Sequence, residues 1–373
     1  MIDRIGSDRA GIVGGDVDEG YGPVADAFRA NFSERDELGA ACAVYRDGRR
    51  VVDLWGGYAD GATRRRWSEH TPIVVFSTTK GVASLAVAHA HSRGLLDYDE
   101  RVAAYWPEFA WRGKDRITVR QLLSHQAGLP VIDVPLTIAD LADLDLVAAA
   151  VALQQPMWPA GTRHGYHGIS LGWYEGELLR RVDHQHRSLG TYFAQEIAGP
   201  LGLDFWIGIP PDFDLERRAT LVGRGPWSAL LGDTPRRLLL ALMNPRSPTR
   251  RSFANPKDML VETNLNRPDV LAVEMPAANG IGTPRAVAAA YSAALDGRLG
   301  LTRPTLDALS QPAQAPSEGL EDVILKEPAL YSLGYLKPTA SAPFGGGADL
   351  AFGTPGNGGS FGFADPETAI GYC

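Results

Sequence analysis

Pro72-Ile73-Val74-Val75-Phe76-Ser77-Thr78-Thr79-Lys80-Gly81-Val82-Ala83-Ser84-Leu85-Ala86-Val87-Ala88 is the stretch on which the reading of this chain turns. An apolar run leads into Ser77, Lys80 follows three residues later, and small and apolar residues continue at helical spacing. Positions i and i+3 of a helix share a face, so the Lys80 amine is expected beside the Ser77 hydroxyl. A serine in the first turn also meets the positive end of the helix dipole, which favours developing negative charge. A free serine hydroxyl is a poor nucleophile and needs a neighbouring base. S-x-x-K supplies such a pair, but an ordinary helix start carries the same four letters, so the rest of the chain decides.

The chain has 373 residues, 45% hydrophobic and 21% charged, an ordinary globular composition. That length allows two or three structural units, or one composite domain whose core needs no disulfide or metal staple. Net charge is −8 and the longest basic run, Arg64-Arg65-Arg66, reads as a solvated loop. Nothing resembles the basic stripe that DNA or RNA binding needs. Cys42 lies in an apolar, strand-like segment and reads as a buried thiol; Cys373 is the last residue. No C-x-x-C or Cys/His cluster points to a metal, and no cofactor is implied. Met1 to Asp8 lacks the pattern of a signal peptide and no apolar run is long enough to span a membrane. A cytoplasmic protein with no nucleic-acid or membrane partner is the expectation.

Val24, Phe28 and Phe32 recur at i, i+4 and i+8, predicting a helix over 23–32. Residues 39–45 and 51–57 read as strands around an Asp47-Gly48 turn. Helices are predicted at 78–93, 118–125, 139–154, 169–182, 189–198, 234–243 and 284–296, the last with Thr283 as N-cap and Pro284 in the first turn. Strands are predicted at 330–336 and 348–352, and a strand–turn–strand over 361–372. Residues 1–20 read as extended. Early and late strands bracketing a helical middle predict one sheet assembled from both ends of the chain, with a nucleophile at the junction placed in a cleft.

Three further segments complete the constellation: Leu122-Leu123-Ser124-His125-Gln126-Ala127-Gly128-Leu129-Pro130, Trp158-Pro159-Ala160-Gly161-Thr162-Arg163-His164-Gly165-Tyr166-His167-Gly168 and Phe352-Gly353-Thr354-Pro355-Gly356-Asn357-Gly358-Gly359-Ser360-Phe361-Gly362. With S-x-x-K, they resemble the serine β-lactamase/penicillin-binding protein superfamily, most closely the class C β-lactamase-like family VIII carboxylesterases. The resemblance covers nearly the whole chain. It implies an α+β, β-lactamase/transpeptidase-like fold, an antiparallel sheet flanked by helices plus an inserted mainly helical region. Residues 1–76 and 281–373 would form a discontinuous sheet domain and 77–280 the helical domain, with the active site at the junction.

The resemblance also implies roles. Ser77 matches the acyl-accepting nucleophile, Lys80 its amine partner, and Tyr166 the tyrosine of the family's Y-x-N motif, a phenol able to exchange protons if cationic neighbours lower its pKa. Thr354-Pro355-Gly356 falls where relatives carry K-T-G or H-x-G, and the Asn357 and Ser77 backbone N–H groups would form an oxyanion hole. Thr354, Gly356, His167 and Trp158 are the candidate substrate-pocket residues. Two departures stand out: Thr354 replaces a cation that helps hold a substrate carboxylate, and Gly168 replaces the Y-x-N asparagine. His164 or His167 would be the substitutes for that lost polarity. Both departures weaken a β-lactamase reading and leave acyl chemistry intact. Relatives also continue past the last strand with a further helix, whereas this sequence stops at Cys373.

Two G-x-S-x-G matches compete for the nucleophile, at Ser170 and Ser360, but neither sits on a strand–turn–helix elbow. His125 reads as a structural histidine, and Trp158, Trp173, Trp206 and Trp227 as core or pocket wall. The expected function is hydrolysis of small-molecule carboxylic esters through an acyl-enzyme. β-Lactam or amide (including D-amino-acid peptide) hydrolysis on the same nucleophile is an alternative. A non-catalytic penicillin-binding scaffold is another.

Overall fold

The computed structural model describes residues 13–223, 235–340, 342–347 and 349–373. Residues 1–12, the start of the predicted 234–243 helix, Trp227 and Ala348 therefore lie outside the described residues. Ten strands are used below: β1 (Val13–Val17), β2 (Gly39–Arg46), β3 (Arg49–Asp60), β4 (Arg65–Arg66), β5 (Ile73–Val74), β6 (Phe205–Trp206), β7 (Ile281–Gly282), β8 (Phe352–Pro355), β9 (Phe361–Asp365) and β10 (Ile370–Tyr372). The helices that position the site are α1 (Gly22–Glu34), α2 (Thr78–Ser92), α3 (Leu144–Leu153), α4 (Ser170–Val182) and α5 (Pro284–Leu295).

Both ends of the chain build one antiparallel sheet in the order β1-β3-β2-β10-β9-β8, with β4 on β3. β2 and β3 form the expected hairpin, and Asp47 and Gly48 both take positive φ (49° and 76°), the left-handed pair a tight hairpin turn requires. β10 joins the two ends, pairing Ile370 with Arg46 and Tyr372 with Val44. β8 closes the far edge against β9, with Thr354 opposite Gly362. A smaller sheet, β5-β7-β6, ties the entry to α2 to the return from the helical middle. Helix α5 starts as predicted, the Thr283 side chain accepting the Ala286 N–H with Pro284 in the first turn, and it packs on β2, β9 and β10.

Apart from its Lys80–Ser84 side, helix α2 is built mostly of small and apolar residues, as suits a helix buried among other elements. Every residue from Thr78 to Ala90 is buried. It lies between β8 and α4. So the S-x-x-K helix is the central rod of the core, not a surface amphipathic helix.

Four elements differ from expectation, the first being the strand predicted at 348–352, which forms at Phe352–Pro355 as β8. The predicted 139–154 helix is broken at Asp143, whose carboxylate accepts the Asp145 and Leu146 N–H groups and starts α3 afresh. The 189–198 helix holds over Leu189–Phe193 and continues as a π-helical turn over Ala194–Ala198. The predicted 330–336 strand is absent: Gly334 takes φ 86°, and the segment contributes only isolated bridges, Tyr331 to Leu336 and Leu336 to Gly353. Cys42 is buried as expected, its thiol pushed up to about 11 by desolvation. Among the described residues no helix is long and apolar enough to cross a membrane.

Candidate active site

The chain enters α2 through Phe76, a non-glycine residue at φ 48°. Such a conformation persists only where surroundings impose it. Here the Phe76 carbonyl accepts from both the Thr79 N–H (2.9 Å) and the Thr79 hydroxyl (2.5 Å), and the same hydroxyl accepts the Gly280 N–H at 2.9 Å. Ser77 is left as the N-cap of α2, partly exposed, with its side chain unused for capping.

Lys80 is completely buried. Its amine lies 3.0 Å from Ser77 Oγ, 2.7 Å from the Gly168 carbonyl and 2.9 Å from the Ala277 carbonyl. Burial pulls its pKa from 10.5 down to about 7, partly countered by the charge of Glu175. Lys80 Nζ also stands 4.7 Å from the Tyr166 ring centroid. Tyr166 is 7% exposed, and its phenol is close enough to Ser77 for that hydroxyl to lower its pKa. Burial raises the Tyr166 pKa, and Ser77 only partly offsets that. The phenol is therefore held neutral, contrary to the lowered pKa expected from a cationic neighbour. Desolvation acts oppositely on the two groups because it penalises the cation at Lys80 and the anion at Tyr166.

Three distant segments fix the Tyr166 backbone. Asp322 Oδ2 accepts its N–H at 2.8 Å, Ser252 Oγ donates to its carbonyl at 3.2 Å, and the same hydroxyl accepts the Gly168 N–H at 3.0 Å. His125 completes the support, its carbonyl accepting the Gly165 N–H at 2.9 Å and its Nδ1 the His167 N–H at 3.1 Å.

On another side, β8 ends at Pro355, and Gly356 and Asn357 follow it directly. Gly356 packs against the Ser77 turn so closely that a Cβ there would stand 2.2 Å from Ser360 Oγ and 2.3 Å from the Val75 carbonyl. Among the described residues, the Ser77 and Asn357 N–H groups donate to no protein acceptor.

The remaining candidates are placed differently. His167 is fully buried, stacked on His125 with their Nδ1 atoms 3.0 Å apart, and burial drops its pKa to about 3. It is a neutral core residue behind Tyr166, not a pocket wall. His164 is also buried, with its ring on Tyr331. The Thr354 side chain, 2% exposed, turns inward: a Cβ on Gly81 would lie 3.0 Å from its Oγ1 and 2.0 Å from the Tyr291 hydroxyl. Trp158 lies over Gly165 and lines a separate surface depression with Arg112, Gln121 and Met157. Gly168 faces Phe253: a Cβ there would sit 2.7 Å from that ring and 2.8 Å from the Ser252 carbonyl. The rival serines are occupied, Ser170 Oγ donating to the Leu129 carbonyl and Ser360 Oγ to the Val75 carbonyl.

Sequence reasoning missed Asp322, Ser252, Phe253, Glu262 and Glu175. Glu175 alone left a local trace, an acid set within the apolar stripe of α4 (Leu171, Tyr174, Leu178). No cluster of three or more His, Cys, Asp or Glu side chains gathers to hold a metal among the described residues.

Known proteins give the same picture. The Beta-lactamase family model matches residues 24–372. The Esterase/beta-lactamase LipL of Mycobacterium tuberculosis is 34% identical over 376 aligned residues, covering 99% of this chain and 83% of that protein. The crystal structure of a family VIII carboxylesterase superposes with a TM-score of 0.81 at 34% identity, over 96% of this chain and 92% of that one. A penicillin-binding protein homolog from Caulobacter crescentus gives 0.80 at 34% identity with the same coverages, 96% and 92%. A buried lysine against an N-capping serine, framed by this sheet and supported by these matches, makes the chain a member of the beta-lactamase family.

Proposed function

We propose that the chain is a serine carboxylesterase that hydrolyses carboxylic esters through an acyl-enzyme on Ser77. One observation carries the reading: the hydrogen-bond geometry of Lys80. A neutral amine has two N–H bonds and one lone pair. The Gly168 and Ala277 carbonyls take both N–H bonds, which leaves the lone pair for the Ser77 hydroxyl 3.0 Å away. With a pKa near 7, a large fraction of Lys80 is neutral at physiological pH.

Lys80 then removes the Ser77 proton as Oγ bonds to the ester carbonyl carbon. The carbonyl oxygen becomes an oxyanion held by the Ser77 and Asn357 N–H groups, each such donor being worth about 3–4 kcal/mol. As the C–O bond breaks, the proton passes from Lys80 through the neutral Tyr166 phenol to the departing alkoxide. Water repeats the sequence to release the acid. Ester rather than β-lactam substrates are favoured because Thr354 supplies no cation to the cleft and Phe253 fills the space where an asparagine side chain at 168 would stand.

The test is hydrolysis of p-nitrophenyl acetate, butyrate and octanoate beside a chromogenic cephalosporin, with Ser77→Ala as control. Ester turnover lost in the variant, with little cephalosporin cleavage, is expected. Full ester turnover by Ser77→Ala sinks the assignment, and dominant cephalosporin turnover replaces it with a β-lactamase.

A further inference from the structure

Asn357 offers the cleft more than its backbone. Its side-chain amide donates to Glu262 Oε1 at 2.5 Å, joining the loop after β8 to the 3₁₀ turn Glu262–Asn266 of the helical region. Glu262 is partly buried, and among the described residues no lysine, arginine or histidine pairs with it. The nearby arginine is already engaged: Arg267 pairs with Asp258 and Asp269, both at 2.6 Å. A carboxylate with no cationic partner among the described residues thus contacts, through a solvent-exposed hydrogen bond, the residue whose N–H is proposed to hold the oxyanion. Thr354 on β8 is neutral and turned into the core.

Two consequences follow from Coulomb's law. The Glu262 charge opposes the oxyanion that forms on any substrate, and a substrate carrying its own positive charge near the scissile carbonyl relieves that opposition. A substrate carboxylate in the same place adds to it. Asn357 is exposed and Glu262 half-buried, so the effect is screened by salt.

We propose that Glu262 is a specificity-determining residue that selects esters of cationic, ammonium-bearing alcohols and rejects esters bearing a carboxylate. The inference rests on the ester-hydrolase reading above and names its substrate class.

The experiment uses three thioesters of one acyl group: S-butyrylthiocholine, its uncharged carbon isostere 3,3-dimethylbutyl thiobutyrate, and S-butyryl-3-mercaptopropionate. Thiol release is followed for the native protein, Glu262→Gln and Glu262→Lys, with active sites counted by fluorophosphonate labelling. Leaving-group reactivity cancels when the cation-to-anion ratio of kcat/KM is compared between proteins. That ratio is expected to fall about tenfold in Glu262→Gln and further in Glu262→Lys, and the difference is expected to shrink at 1 M salt. A ratio within twofold of native in both variants, with the uncharged thioester still turned over in a Ser77-dependent way, overturns the charge inference and leaves the esterase reading standing. Turnover that survives Ser77→Ala, or no turnover of any thioester, overturns the esterase reading and this inference with it.

Discussion

The Ser84 hydroxyl donates a 2.6 Å hydrogen bond to Glu175, a carboxyl with no exposed surface, one helical turn beyond Lys80. Ser77, Lys80 and Ser84 follow one another at i, i+3 and i+7 along α2, so the proposed nucleophile, the amine and this hydroxyl share a face. The second carboxyl oxygen of Glu175 has no partner among the described residues. Burial lifts the Glu175 pKa from 4.5 to about 8, while Ser84 and Lys80 draw it down. The acid and the amine therefore titrate as a coupled pair in the same pH range. Tyr98 and Tyr335 also face Glu175, and both phenols are raised by burial, so neither supplies a competing charge near neutrality.

Replacing Glu175 with glutamine is expected to move the acid limb of kcat/KM to lower pH, and only slightly, because a carboxyl lifted to about 8 is mostly protonated where Lys80 titrates. Ionised Glu175 raises the Lys80 pKa. Without that charge Lys80 loses its proton more readily and stays a base in more acidic solution. Stability has its own sign. The folded-state pKa of Glu175 lies above its unfolded value, so the folded protein holds more protons between pH 4.5 and 8 and this group's contribution is lost as pH rises through that window. Glu175→Gln removes the loss, and its Tm relative to native is expected to rise from pH 5 to pH 8.5. An unmoved acid limb would leave Glu175 a packing residue only.

For Tyr166→Phe the expectation is a kcat lower by about 10²- to 10³-fold with the acid limb still near neutrality. The phenol is a neutral relay in the scheme above, whereas the limb belongs to Lys80. Loss of the limb together with the rate would instead make Tyr166 the titrating base. A pH–rate profile of both proteins on p-nitrophenyl butyrate decides between them.

How much of this was readable in the sequence follows from the range of the interactions. Ser77 and Lys80 are three residues apart, and helical spacing alone predicts their contact. Tyr166 and Asn357 became visible through the family resemblance, because only a whole-chain pattern says which loop returns to the nucleophile. The supports were invisible: Ser252 and Asp322 lie 86 and 156 residues from Tyr166, and Glu262 lies 95 from Asn357. No local periodicity encodes such pairs. Thr354 and His167 were misplaced because motif position fixes a residue's register, not the face its side chain takes. The 330–336 segment alternates like a strand, but Gly334 in the left-handed region turns the chain before a ladder can form.

Asp322→Asn is expected to destabilise the protein by about 2–4 kcal/mol and to lower kcat more than it raises KM. The carboxylate accepts four hydrogen bonds, from Ile324 and Leu325 N–H at Oδ1 and from Tyr166 N–H and the Tyr331 hydroxyl at Oδ2. With the amide nitrogen at the Oδ2 position, the Tyr331 hydroxyl can turn to accept from it, but the Tyr166 N–H is left facing a donor and loses its anchor. Urea denaturation and steady-state kinetics test the two halves separately. An unchanged kcat in a destabilised protein would make Asp322 purely structural.

Gly168→Ala alone is expected to destabilise by about 1–3 kcal/mol and to depress activity, because its Cβ needs space that Phe253 and the Ser252 carbonyl occupy. The Gly168 carbonyl also holds Lys80 at 2.7 Å, so a backbone shift here reaches the proposed base directly. Phe253→Ala removes the ring and leaves a cavity beside Tyr166, whose ring centroid lies 6.3 Å from that of Phe253. If the two positions compete for one volume, the double variant recovers part of the Gly168→Ala loss, with a coupling of about 1 kcal/mol in a double-mutant cycle. Strict additivity of the two substitutions would show that the Ser252 carbonyl, and not the Phe253 ring, is what demands glycine at 168.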